Sequence, residues 1–204
     1  MARKSFFSPT GGYEVSFTQL KSANPSGEGV SISYRINFFT KGGPLLSTVP
    51  FNNGKLTEAG IFKKLIWAPK DGFVILPPEM EGGSSRAIAL DPKLPWKESP
   101  FQLDNFVWID DLSGVGNRRG SCNYGVFRFD GGNGKEIPVK KPESPIGYEL
   151  ISVKNNTAFI KMFLDDCRMQ DIPPRCLSYD LANGVETPAS CPPVKPPQKP
   201  SKNR

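Results

Sequence analysis

The chain has 204 residues with 37% hydrophobic and 23% charged side chains, enough for one large β domain or two small ones, and its Gly 20 and Pro 21 suit many short strands joined by turns. It contains no histidine, which removes Ser-His-Asp and Cys-His catalysis, the usual metal ligands and the commonest general base near neutral pH. The formal net charge of +6 sits at the ends, on Arg3 and Lys4 and on Lys195, Lys199, Lys202 and Arg204. The body from Ser5 to Glu186 is neutral, so nucleic acid is not an expected partner.

Met1 to Phe7 reads as a flexible arm without the apolar core of an export signal, and no apolar run reaches the ~20 residues of a membrane helix. The expectation is a soluble, cytoplasmic protein with no membrane span, or a periplasmic or secreted one if a signal peptide has been removed. Tyr13, Val15 and Phe17 alternate with polar residues, and Val30, Ile32, Tyr34, Ile36 and Phe38 do the same over nine residues. That period of two predicts two half-buried strands paired across a long loop. Ile61 to Trp67 fits either a short helix capped by Thr57 or the first arm of a hairpin into Phe73–Leu76, and the Pro69-Lys70-Asp71-Gly72 turn favours the hairpin. Pro77 to Lys97 reads as a long irregular stretch with one helical turn around Ser85 to Leu90.

The phrases Ser8-Pro9-Thr10-Gly11-Gly12-Tyr13 and Ala68-Pro69-Lys70-Asp71-Gly72-Phe73 each resemble the Ser-Pro-Asp-Gly turn that opens strands in TolB-like β-propeller blades. The two copies lie farther apart than the ~40–50 residues of a propeller repeat, and no third copy follows. No function is carried over from that family, and the fold expectation rests on the residues alone.

Phe106 to Asp130 is the first candidate for a functional surface. Two aromatic strands flank a loop holding Gly114, Gly116, Gly120, Arg118, Arg119 and Cys122. The glycines lack the G-x-G-x-x-G spacing, and neither a following Lys-Ser/Thr nor a helix completes a phosphate loop. What remains is a hairpin with a charged tip. Arg118, Arg119 and Tyr124, with Trp96 from the irregular stretch, are the candidate partner-binding residues, since arginine and aromatic side chains dominate interfaces. Asp110-Asp111 and Asp165-Asp166 each end an apolar run. Convergence of these carboxylates at a sheet edge would make a histidine-free hydrolase or a carbohydrate-binding site. Ile146–Val153 and Ala158–Leu164 form a second predicted hairpin around Asn155-Asn156.

Cys167 and Cys176 bracket a short Pro-containing segment that a disulfide would close, a ring worth roughly 2–3 kcal/mol in the chain-entropy model. With no Cys-x-x-Cys pair and no histidine, no metal site is expected, and no cofactor motif is present. Residues 187–204 collapse into Pro and Lys and read as a disordered tail. The sequence therefore predicts one mostly-β domain over 8–186, an antiparallel β-sandwich or small barrel with long loops and little helix. Its leading function is a non-catalytic protein-binding module of interaction or inhibitor type. The balance of residues falls against an enzyme.

Overall fold

A computed structural model describes residues 5–23, 30–53, 55–80, 83–119, 124–143, 145–164 and 175–191. Among these residues, sixteen strands and one short helix follow each other in four runs of four strands. The first sheet holds β1 (Ser5–Phe7), β2 (Tyr13–Ala23), β3 (Val30–Thr40) and β4 (Leu45–Phe51). After the helix α1 (Glu58–Lys63), the second holds β5 (Ile66–Trp67), β6 (Phe73–Leu76), β7 (Ser85–Ala89) and β8 (Glu98–Phe101). The third holds β9 (Leu103–Trp108), β10 (Ser113–Arg119), β11 (Tyr124–Asp130) and β12 (Lys135–Lys140). The fourth holds β13 (Ile146–Lys154), β14 (Thr157–Leu164), β15 (Arg175–Asp180) and β16 (Glu186–Ala189). Each is an antiparallel meander with its strands in sequence order.

One hydrogen bond recurs in all four. The residue just before the second strand accepts through its carbonyl from the amide just after the third: Gly12 from Lys41, Gly72 from Leu90, Leu112 from Gly131 and Asn156 from Leu181. The two phrases that resemble TolB-like blade turns occupy equivalent places, between the first and second strands of the first two sheets. Sheets built and repeated this way follow one another as blades do in a propeller. The mostly-β antiparallel expectation holds, but the sandwich or small barrel is replaced by four small sheets in series.

The apolar pattern explains why. In β6, Val74 and Leu76 pack toward the first sheet with Ile36, Phe38, Phe51, Ile61 and Leu65. Phe73 and Ile75, on the other face, join Phe101, Phe129, Trp96 and Trp108 toward the third. A sheet that is apolar on both faces needs a neighbour on each side, which two packed sheets do not provide. Val115 and Val126 then pack the third sheet against Tyr148, Leu150, Ala158, Ile160 and Leu177 of the fourth. The first sheet turns its polar side away, where the Asn37 amide bonds the hydroxyls of Thr18 and Thr48.

Several local expectations change. Ser5–Phe7 is a paired strand rather than an arm. Thr57 does cap a helix, its hydroxyl accepting from Gly60 N, and the β5–β6 hairpin follows that helix. Ser85–Ala89 is a strand, because Ala87, Ile88 and Ala89 are buried on both sides. Residues 187–189 belong to β16 of the fourth sheet, with Thr187 and Ala189 paired to β15. Cys176 is bonded to Cys191, not to Cys167, which lies outside the described residues along with the rest of the proposed tail.

A candidate binding groove between the third and fourth sheets

The stretch read as a glycine loop is largely strand β10. Gly114 and Gly116 are there because their neighbours come too close for a side chain. A Cβ at Gly114 would stand 2.1 Å from the Phe106 ring, and one at Gly116 would stand 2.8 Å from the Asp104 carbonyl. The predicted carboxylates and arginines consequently part company. Asp110 and Asp111 lie in the turn before β10, whereas Arg118 and Arg119 lie at its far end, roughly 20 Å away at the rise of a strand.

Each of these side chains is engaged locally where it is described. Asp110 caps its own turn, accepting from Leu112 N and the Ser113 hydroxyl at 2.8 Å each. Burial pushes its carboxyl up, but those bonds, the Ser113 amide and the Arg128 charge outweigh it and hold the group below its ordinary value. Asp111 pairs with Lys70 in the corresponding turn of the second sheet, and Thr10 reaches Asp71 from the first through its amide and hydroxyl. The first turns of the three sheets are thus laced together.

Arg118 folds back onto its own sheet, donating to Gln102 at 2.8 Å, facing Glu136 at 3.7 Å and lying over the Phe127 ring. Burial raises the Glu136 carboxyl, an effect the Gln102 amide and Arg118 offset in part. Tyr124 meets the Phe163 ring edge-on at 5.5 Å. Trp96 stacks on Phe73, donates its ring N–H to the Gly131 carbonyl at 2.7 Å and lies against Gly134, so it serves the join between the second and third sheets. The Arg119 side chain, Asp165 and Asp166 lie outside the described residues.

A different feature opens where the first strands of the third and fourth sheets come together. A groove of about 610 Å³ runs between Asn105, Phe106 and Val107 of β9 and Glu149, Leu150, Ile151 and Ser152 of β13. Both strands are bulged there. The β9 register on β10 slips between Val115 and Asn117, and the β13 register on β14 slips between Leu150 and Ser152. Asn105 adopts a left-handed backbone, with φ of 48°. Bulges re-aim side chains and leave backbone groups unpaired beside sites.

Behind the groove, the buried amide of Asn117 spans the two sheets. It donates to the Tyr148 carbonyl at 3.1 Å and accepts from Leu150 N at 3.0 Å, so it holds β13 on either side of Glu149. Val107 and Ile151 are 40% and 38% exposed, and Phe7 and Ile66 stand similarly open near the ends of the first strands of the other two sheets. Sequence reasoning missed this groove because its walls meet only through the register of distant strands.

No protein family and no curated protein matches the sequence. Among solved structures, the chain is similar to the β-propeller domain of the Trilobed protease from Pyrococcus furiosus, described as having an open velcro topology. The similarity is at 12% identity with a TM-score of 0.46, and it covers 93% of this chain and 58% of that one. No helix among the described residues is long and apolar enough to cross a membrane.

Proposed function

We propose that this chain is a non-catalytic protein-binding module that holds a segment of its partner in the β9–β13 groove. The observation that carries the reading is the groove itself, where exposed aliphatic side chains stand beside bulged, incompletely paired strands and a carboxylate. Such mixed apolar and polar lining suits a polypeptide surface. The rival, a histidine-free hydrolase or carbohydrate-binding protein, draws on Asp110 and Asp111. One of these caps a turn and the other is paired with Lys70. The Cys176–Cys191 disulfide supports an oxidising compartment rather than the expected cytoplasm.

A benzophenone side chain at Val107, compared with one at the exposed Leu45 of β4, tests the proposal in extract from the native host. A protein adduct formed at Val107 and absent at Leu45 is expected. Equal labelling at both positions, or adducts with oligosaccharide alone, would overturn it.

A further inference from the structure

Glu149 is the one acidic side chain among those lining the groove, and among the described residues its carboxylate makes no hydrogen bond or ion pair. Lys161 stands directly across the ladder from it on β14 without forming an ion pair with it. The Asn117 amide fixes the backbone on both sides, at Tyr148 and Leu150, so Glu149 is presented from a rigid strand. Beside it, Val107 and Ile151 expose aliphatic surface, and the Asn105 amide and Ser152 hydroxyl add neutral hydrogen-bonding groups. A carboxylate bordered by aliphatic surface matches one kind of side chain, a cationic head on a methylene stem.

Resting on the protein-binding reading above, we infer that the bound segment inserts an arginine into the groove. Its guanidinium meets Glu149, and its stem lies on Val107 and Ile151. Arginine suits the site better than lysine because its planar fork engages both carboxylate oxygens, whereas an ammonium does so as a point charge. The donors left over face a groove that Asn105 and Ser152 also line. Lys161 supplies the opposing charge that keeps a bare cation from binding on electrostatics alone.

The test is an NMR titration of the full ¹⁵N-labelled chain with three probes: acetyl-Ala-Arg-Ala-amide and its lysine and citrulline analogues. Citrulline preserves the shape of arginine and removes its charge. The arginine peptide should shift the amides of residues 105–107 and 149–152 and bind about fivefold or more tightly than the citrulline peptide, with lysine between them. In Glu149→Gln the arginine advantage should vanish, and in Lys161→Met it should grow. Equal shifts from the arginine and citrulline peptides overturn the inference yet leave a groove that binds peptide. Shifts confined to other residues, or none up to the solubility limit, also overturn it, and crosslinking at Val107 then decides whether the protein-binding reading survives.

Discussion

Replacing Asn117 with alanine should loosen the fourth sheet from the third and destabilise the chain by about 2–4 kcal/mol. Asn117 is 3% exposed and makes bonds of 3.1 Å to the Tyr148 carbonyl and 3.0 Å from Leu150 N, with a longer 3.4 Å contact to the Gly125 carbonyl. Tyr148 and Leu150 are themselves buried, so truncation strands one acceptor and one donor away from water. Each orphaned group costs about 1–3 kcal/mol, and the lower half of that range applies where water can enter the small void left behind. For a chain of this size the loss corresponds to a fall in Tm of roughly 5–15 °C. Urea titration followed by tryptophan fluorescence measures it. Asn117→Asp keeps the acceptor for Leu150 N and loses the donor to Tyr148, so it should be at least as damaging despite its closer shape. A cost under about 1 kcal/mol for the alanine variant would refute the idea that this amide holds β13 in place.

Gly114→Ala should cost about 2–3 kcal/mol or more in urea titration, since its Cβ would enter the Phe106 ring, whereas Gly72→Ala meets nothing within 4 Å and should change little. Stability that depends on Asp110 is present above its ordinary pKa of 3.8 and is lost as the pH falls through its lowered folded value. Asp110→Asn should therefore flatten the acid limb of a stability–pH curve, by under about 1 kcal/mol because the group is exposed. Breaking Cys176–Cys191, which closes a separation of 15 residues, should cost about 3 kcal/mol by the loop-entropy argument and free the β16 edge to amide exchange.

The two end sheets were the legible ones. The first sheet packs one face and leaves the other polar, so Tyr13–Thr18 and Val30–Phe38 alternate cleanly and their pairing is as expected. The Asn155-Asn156 turn of the fourth sheet likewise takes the left-handed backbone that asparagine tolerates. In the middle sheets that signal is lost. Phe73–Leu76 is buried on both faces and has no period, and Ala87–Ala89 looks helical for the same reason. Gly114 and Gly116 mark close approach, which a single sequence does not distinguish from turn chemistry.

The repeat was hidden by its turns. These fall at residues 8–12, 68–72, 109–112 and 155–156, built on Pro-Gly phrases in the first two, an aspartate cap in the third and paired asparagines in the fourth. The long strands β2 and β3 and the helix α1 also stretch the first interval well beyond the others. The β9–β13 groove was illegible because Asn105 and Ile151 acquire their positions from bulges set by partner strands. Nothing in their own neighbourhood signals it.

Amide hydrogen exchange of the full chain, alone and with the partner captured through Val107, tests most directly whether the β9–β13 groove holds the partner. Slowed exchange at residues 105–107 and 149–152 is expected, with the Arg118 end of β10 unchanged. Protection centred on Arg118 and Tyr124, with the groove amides exchanging as fast as in the free chain, would contradict it.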